Sequence, residues 1–281
     1  MKETRAEYLA VDKLRPFDEH PFKVVDNEEM DQLTWSILTQ GLLTPLVVRP
    51  LPNGEYEVIS GHRRLHACKK AGIKTVPALI YAIDRDAAAI ALVDSNLQRE
   101  TILPSEKAFA YKMKRDALSH QGTTSPQVGE KLLTVERVGL EAGDSKNQVL
   151  RYIRLTNLIP GILQKVDEGR IALTPAVELS YLTDAEQEDL LETMESEDCT
   201  PSLSQAIQMK ALSQSGQLDM DTIFHIMTQP KANQQEKISF KVSELRDFFP
   251  RHYTAAQMMQ EILLAVKERQ QRLARQRDHS R

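Results

Sequence analysis

The stretch from residue 55 to residue 72, EYEVISGHRRLHACKKAG, passes from strand to helix at a single glycine. Tyr56 and Val58 follow the two-residue alternation of a half-buried strand, whereas Leu65 and Cys68 recur at helical spacing. A strand that runs directly into a helix indicates an α/β fold for this part of the chain.

Two adjacent arginines, Arg63 and Arg64, follow Gly61 in the first turn of the predicted helix. A helix N-terminus already presents unpaired N–H groups and a partial positive charge, so arginines there are unfavourable unless an anion is bound. The alternative is that both arginines are solvated and pair with surface carboxylates. This stretch alone leaves both interpretations open.

The composition excludes several classes of protein. A chain of 281 residues predicts about two or three domains, and 41% hydrophobic with 27% charged residues is typical of a soluble globular protein. No apolar run is long enough to span a bilayer, and the segment MKETRAEYLAVDKLRP lacks the apolar stretch of a signal peptide, so we expect a cytoplasmic protein. Cys68 and Cys199 have no CxxC partner, which fits a reducing compartment and argues against zinc.

The charge is segmented along the chain. The net charge of −4 would by itself weigh against binding of nucleic acid. However, the segment from Lys146 to Leu158 has basic residues and no acid, and the segment from Lys267 to Arg281 has six basic residues against two acids. The acidic block TDAEQEDLLETMESEDCT lies between them. Nucleic acid therefore stays among the expected partners.

Up to about residue 81, the sequence predicts alternating strands and helices. A helix over Glu28–Gln40 ends at Gly41, and the runs PLVVRP, EYEVIS and TVPALIY have the composition of strands. Strand signals are absent from Asp84 onward through the central part of the chain. Helices are predicted there to begin at Asp84, at Pro104–Ser105 and at Thr134.

These signals divide the chain into four parts. We expect an α/β domain over residues 1–100, an all-α domain over 101–212, a polar linker over 213–236 and a small C-terminal α(+β) segment over 237–281. The last segment has one predicted strand, ISFKVSEL, and an amphipathic helix from about Thr254. The apolar stripe of that helix consists of Met258, Ile262, Leu263 and Val266.

The segment LTVERVGLEAGDSKNQVLRYIRLTNL has the spacing of a helix-turn-helix. A short helix leads to a tight turn at Gly143–Asp144, and Ser145 can cap a second helix. The residues predicted to pack the two helices together are Val138, Val149 and Ile153.

The start of the second helix carries side chains of the kinds that recognise bases and phosphates at a DNA major groove. Amides pair with adenine, arginine pairs with guanine, and lysine binds phosphate. The candidate DNA-binding residues are Ser145, Lys146, Asn147, Gln148, Arg151 and Arg154. An ordinary helical hairpin with a polar face is the alternative that this pattern leaves open.

Four sequence blocks resemble, in their order and spacing, the ParB family of chromosome- and plasmid-partition proteins. They are DKLRPFDEHPFKV, LTWSILTQGLLTPLVVRP, VISGHRRLHACKKAG and LVDSNLQRETILPSEKAFAYK. The third is similar to the arginine box of the family, and the fourth to its asparagine-arginine box. The resemblance runs from about Leu9 to Leu182. It implies a ParB/sulfiredoxin-like α/β nucleotide-binding domain followed by an all-α helix-turn-helix domain.

The resemblance also implies a ligand and partners. In the family, the arginine box binds the triphosphate of CTP. The nucleotide-binding residues implied here are Gly61, His62, Arg63, Arg64, Ser95, Asn96 and Arg99. Family members are homodimers that load on a double-stranded DNA site, and CTP closes them into a clamp. We therefore expect a partition protein associated with the nucleoid or a plasmid, with a ParA-type ATPase as a further partner and no membrane association.

Three positions depart from the family pattern. His62 and Ser95 stand where the family usually has glutamate, and His20 stands near the place of a glutamine. Because Mg²⁺ prefers oxygen ligands, we expect nucleotide binding with weak or absent CTP hydrolysis. Asp94 is the candidate metal ligand, although a helical neighbour of Ser95 points about 100° away from it.

Three other functions stay open at this point. The sulfiredoxin reaction needs a reactive cysteine just before the His-Arg pair, and Gly61 stands there instead. A ParB-like nuclease needs clustered carboxylates, for which Asp18 and Asp94 are the candidates. The third is a DNA-binding transcriptional or mobile-element regulator whose pocket does not hydrolyse nucleotide.

Overall fold

The computed structural model describes residues 4–99, 101–121, 128–229, 242–250 and 252–278. The chain divides into two compact units, Met1–Gln229 and Pro230–Arg281. Within the described ranges, no helix combines the length and the apolar character needed to cross a bilayer.

A five-stranded mixed sheet forms the first part of the chain. Its strands are β1 (Thr4–Ala10), β2 (Leu14–Pro16), β3 (Leu46–Pro50), β4 (Tyr56–Ser60) and β5 (Thr75–Tyr81), in the spatial order β1-β5-β3-β4-β2. Strand β1 pairs antiparallel with β5, and β3 pairs antiparallel with β4, whereas the β2–β4 and β3–β5 pairs are parallel. The core beneath the sheet includes Leu14, Leu46, Val48, Val58 and Val76.

The sequence predicts β3, β4 and β5 but misses the two edge strands. β1, with the sequence TRAEYLA, carries charged residues and exposes Tyr8, and β2 has three residues. Neither strand is long or alternating enough to give a clear two-residue pattern.

Three helices follow or interrupt the strands: α1 (Glu28–Gln40), α2 (His62–Lys70) and α3 (Arg85–Leu97). The predicted bounds of α1 are confirmed, because the Asn27 side chain caps its start and Gly41 follows its end with φ of 75°. Asp84 caps α3 as predicted, by accepting from the backbone N–H of Ala87. Helices α1 and α2 bury their apolar faces in the core of the sheet.

Helices alone make up the rest of the first unit that the structure describes. They are α4 (Pro104–Gln121), α5 (Val128–Ala142), α6 (Lys146–Arg154), α7 (Pro160–Asp167), α8 (Leu173–Leu179), α9 (Asp184–Ser196), α10 (Leu203–Gln214) and α11 (Met220–Thr228). The predicted start of α4 at Pro104 is confirmed. Helix α5 begins at Val128 rather than at Thr134, because the residues EKLL before Thr134 are strong helix formers.

The segment predicted as a linker, residues 213–236, contains α11. Asp219 caps this helix, and Ile223, Ile226 and Met227 are buried in the main core of the helical part. The polar, turn-rich residues on either side obscure a short apolar pattern that fits one helix face. The all-α part of the chain therefore continues through α11 instead of ending at residue 212.

The second unit contains α12 (Val242–Leu245) and α13 (Ala255–Asp278). The first half of the predicted strand ISFKVSEL lies outside the described residues, and its second half, Val242–Leu245, is helical. The amphipathic helix predicted from Thr254 is confirmed as α13. Its stripe residue Met258 is buried, whereas Leu263 and Val266 are about half exposed. Residues 279–281 of the basic tail lie outside the described range.

Candidate functional sites

A cavity of about 220 Å³ lies where the start of α2 meets the end of α3. It brings together side chains from two blocks that are far apart in sequence. Six of the predicted nucleotide-binding residues line it: Gly61, His62, Arg63, Ser95, Asn96 and Arg99. The loop after β2 contributes His20, Phe22, Lys23 and Val24 to the wall, and Ser60 at the end of β4 completes the lining.

Gly61 allows the chain to turn from β4 into α2. Its φ of +104° is in a region that other residues rarely adopt, and a Cβ there would lie 2.6 Å from Cδ2 of the fully buried Leu46. No side chain caps α2, and its first turn contains no acidic residue. The N–H groups at the start of α2 are therefore available to an anion in the cavity.

Lys23, Arg63 and Arg99 give the cavity its positive charge, and no Asp or Glu among the described residues lines it. Arg63 Nη2 lies 3.0 Å from Glu29 Oε2 in an exposed ion pair, which stabilises the fold little. Guanidinium and ammonium groups in a concave site are suited to phosphate oxygens.

Lys23 is a cavity residue that the sequence patterns did not identify. It lies in the first block, EHPFKV, where no motif assigns it a ligand. Its backbone N–H donates to Glu106 Oε1 of α4 at 2.8 Å, and its Nζ lies 2.8 Å from Asp167 Oδ2. Long-range contacts of this kind fix the loop after β2, and only the folded chain reveals them.

Arg64 is predicted to bind nucleotide, but the structure does not bring it into the cavity. Its Nη1 donates to the backbone carbonyls of Thr44 at 2.6 Å and Pro45 at 3.0 Å, and burial lowers its pKa. These bonds tie α2 to the segment that enters β3. The two adjacent arginines therefore have different surroundings, with only Arg63 among the residues that line the cavity.

Ser95 and Asn96 line the opposite wall from the last turn of α3. Ser95 Oγ donates to the carbonyl of Leu92 at 2.9 Å, and Asn96 Nδ2 donates to the same carbonyl at 2.8 Å. The amide nitrogen of Asn96 is thus partly held by its own helix, while the amide oxygen is the stronger candidate for contact with a ligand.

The rings of His20 and His62 are in contact in the cavity wall, with centroids 3.7 Å apart and planes tilted by 42°. The backbone N–H of Phe17 donates to Nε2 of His62 at 3.3 Å, so this nitrogen carries no proton. Burial and the adjacent His20 lower the pKa of His62 to about 3. Burial also lowers the pKa of His20. Both rings are therefore neutral near pH 7.

Asp94, the candidate metal ligand, does not line the cavity. It forms an ion pair with Lys114, a fully buried residue of α4 that also pairs with Glu141 of α5. Among the described residues, no group of three or more His, Cys, Asp or Glu side chains could hold a metal ion. Asp94 is therefore held by the buried ammonium of Lys114 and is not among the residues that line the cavity.

Helices α5 and α6 carry the residues of the second candidate site. Val138, Val149 and Ile153 are buried in one cluster, as predicted. Ser145 caps α6 by accepting from the backbone N–H of Gln148 at 3.2 Å. The turn passes so close to α5 that a Cβ on Gly139 would lie 2.5 Å from the backbone oxygen of Asp144. Gly139 is a requirement of this turn that sequence spacing did not identify.

The predicted DNA-binding residues have unequal surroundings. Asn147 is exposed, and Lys146 lies 2.7 Å from Glu136 in a partly exposed ion pair. Arg151 Nη2 donates to Thr174 Oγ1 at 2.6 Å.

Arg154 is held within the protein. Its guanidinium donates to the side chain and backbone oxygens of Ser180 and stacks 3.8 Å from the ring centroid of Tyr181. This residue connects α6 to the end of α8. Of the predicted DNA-binding set, it is therefore the one whose contacts best fit a role within the fold.

A family model described as the ParB N-terminal domain matches residues 1–97. The probable chromosome-partitioning protein ParB of Vibrio cholerae is 30% identical over 239 residues, which cover 85% of this chain and 77% of that protein. The chain belongs to the ParB family.

Two further relatives extend the comparison within the ParB family. The chromosome-partitioning protein Spo0J of Thermus thermophilus is 36% identical over 65% of this chain and 61% of that protein, so the match spans less than two thirds of that relative. The nucleoid occlusion protein of Listeria innocua is 29% identical over 86% of this chain and 87% of that protein.

The three residues that depart from the expected ParB pattern lie close together in the structure. His20, His62 and Ser95 all line the cavity at the start of α2. Two neutral rings and a hydroxyl therefore lie together in the cavity wall.

Proposed function

We propose that this protein binds CTP in the cavity at the start of α2 and a specific double-stranded DNA site through α6, as a ParB-type protein of DNA partition. One observation carries the nucleotide half of this proposal. Side chains from the arginine box and the asparagine-arginine box converge on one cationic cavity at an uncapped helix N-terminus.

The chemistry of the cavity supports a triphosphate ligand. Gly61 lets a phosphate approach the backbone of α2, and the N–H groups of that helix favour negative charge. Lys23, Arg63 and Arg99 supply charged donors for the other phosphate oxygens. The choice of cytosine rests on membership of the ParB family, because the cavity itself favours any nucleoside triphosphate.

The exposed start of α6 supports the DNA half of the proposal. Ser145 fixes the first turn of this helix, and Asn147 and Gln148 follow with amide groups that can pair with adenine. Arg151 can pair with guanine once its bond to Thr174 is exchanged. A homodimer would present two such helices to the two halves of a DNA site, as helix-turn-helix dimers do.

Partition is the first candidate role, since the relatives from Vibrio cholerae and Thermus thermophilus carry that name. Nucleoid occlusion is the second candidate, because the Listeria innocua relative of that name matches over 87% of its length. Both roles require a specific DNA site. Association with a ParA-type ATPase would favour partition.

A filter-binding assay with radiolabelled CTP, ATP, GTP and UTP tests the ligand. We expect CTP to be retained and to be displaced by unlabelled CTP but not by the other three nucleotides. Equal retention of all four would contradict the selectivity for cytosine. Retention of none would show that the cavity is not a nucleotide site.

A further inference from the structure

We propose that this cavity binds the triphosphate without a divalent cation, with the cations of the protein in place of Mg²⁺. The inference rests on the proposed nucleotide-binding function and specifies the ligand as the metal-free polyphosphate. It follows from which side chains in and near the cavity can bind phosphate and which can bind a metal ion.

The groups that line the cavity are donors rather than metal ligands. Mg²⁺ requires near-octahedral oxygen coordination and is usually bound through one or two carboxylates together with phosphates. Among the described lining side chains, the oxygen atoms belong to Ser60, Ser95 and Asn96, and all are neutral. These neutral oxygen atoms would compensate Mg²⁺ poorly for the water ligands that it loses on binding.

The carboxylates of the neighbouring elements are held by other partners. Glu106 accepts from the backbone N–H of Lys23 with one oxygen at 2.8 Å and from that of Leu103 with the other at 3.1 Å. Asp94 is paired with the buried Lys114. Turning Asp94 toward the cavity would leave a buried ammonium with only one of its two partners, which is unfavourable in a low dielectric.

The two histidines do not supply the missing ligands. Nε2 of His62 is occupied by the backbone N–H of Phe17, and the ring packs against His20. Imidazole nitrogen also suits zinc, copper or nickel better than Mg²⁺. The pair of histidine rings therefore contributes a neutral surface to the cavity wall.

The charges of the cavity can instead balance the phosphates directly. Arg63 lines the cavity from α2, and Arg99 lines it from just after α3. Lys23 lines it from the loop after β2, where its Nζ also pairs with Asp167. A guanidinium binds two phosphate oxygens at once and keeps its charge at every physiological pH. Ligand binding through these groups needs no bridging metal.

Isothermal titration of CTP into the full-length protein, once with excess Mg²⁺ and once with EDTA at equal ionic strength, tests the inference. We expect the two Kd values to agree within about threefold. Binding at least about tenfold weaker in EDTA would overturn the inference while leaving the nucleotide-binding function intact. Binding in neither buffer would overturn both.

Two substitutions of Ser95 add a matched comparison. Ser95→Glu introduces a carboxylate at the cavity wall, and Ser95→Gln introduces a neutral side chain of nearly the same size. We expect the ratio of the Kd in EDTA to the Kd in Mg²⁺ to rise about tenfold for Ser95→Glu and to stay at the wild-type value for Ser95→Gln. An equal ratio for both variants would contradict the claim that the missing carboxylate determines the metal independence. If circular dichroism shows that a Ser95 variant does not fold, the titration of the wild type alone tests the inference.

Discussion

The imidazole rings of His20 and His62 lie with their centroids 3.7 Å apart and their planes tilted by 42°. Two rings at this distance cannot both be positively charged without strong repulsion, and the partly buried position of His62 disfavours its charged form further. The two histidines therefore contribute no positive charge to the cavity wall. The positive charge that a triphosphate meets comes from the lysine and arginine side chains.

The first prediction concerns the stability of the fold at acidic pH. The pKa of His62 falls from 6.5 to about 3 in the folded state, so between these values the unfolded chain binds the proton more readily. The free energy of unfolding should decrease as the pH falls through this window, by at most about 1.4 kcal/mol per pH unit from this group. Urea denaturation of the wild type and of His62→Gln at pH 7.5, 6.5 and 5.5 measures the effect.

We expect His62→Gln to lose less stability per pH unit than the wild type. His225→Gln is the matched control, since His225 is an exposed residue of α11. If His62→Gln and the wild type have the same pH dependence, burial of a neutral His62 does not govern acid stability.

The second prediction is that CTP hydrolysis is weak or absent. No Asp or Glu among the described residues lines the cavity, so a metal-assisted attack of water has no carboxylate to support it. Release of phosphate in the presence of saturating DNA should stay well below the typical enzyme range of about 1–10 s⁻¹. Turnover within that range would mean that a group outside the described cavity wall completes the site.

The third prediction separates reading of bases from binding of phosphates. Selection from random oligonucleotides would first define the preferred DNA site. Gln148→Ala and Arg151→Ala should then each weaken binding to that site by roughly 1–3 kcal/mol and change binding to random DNA little. Deletion of residues 267–281 should weaken binding to all sequences alike and flatten its salt dependence. Unchanged ratios of specific to random binding in both alanine variants would exclude α6 as the reading helix.

The fourth prediction distinguishes Arg154 from Gln148 and Arg151. Its guanidinium bonds to Ser180 and stacks on Tyr181, so Arg154→Ala should lower the free energy of unfolding by about 1–3 kcal/mol. At a temperature where the variant is folded, we expect its ratio of specific to random DNA binding to equal that of the wild type. A large loss of specificity with normal thermal stability would instead assign Arg154 to the DNA interface.

Much of the fold follows from local sequence signals. Asp84 caps α3 as its position predicts, and the apolar residues around Val58 predict strand β4. Such features depend on neighbouring residues alone. The predicted start of α5 was wrong, since the strong helix formers EKLL already precede Thr134. Helix α11 was missed because tertiary burial of residues such as Ile223 stabilises a segment that looks locally polar.

The cavity could be predicted only in part. The boxes identify Arg63 and Asn96, but nothing in the spacing distinguishes Arg63 from Arg64, whose contacts to Thr44 and Pro45 arise from the fold. Lys23 reaches the cavity because Glu106, far along the chain, fixes the backbone beside it. Contacts of this range leave no local pattern in the sequence.

The most direct test of the nucleotide site is isothermal titration of CTP into the wild type, Arg63→Ala and Arg85→Ala. Arg85 is an exposed arginine outside the cavity and serves as the matched control. We expect Arg85→Ala to bind CTP like the wild type, whereas Arg63→Ala should lose about 1.5–3 kcal/mol of binding free energy through removal of a charged hydrogen bond. Equal affinity of Arg63→Ala and the wild type would contradict the assignment of the triphosphate to this cavity.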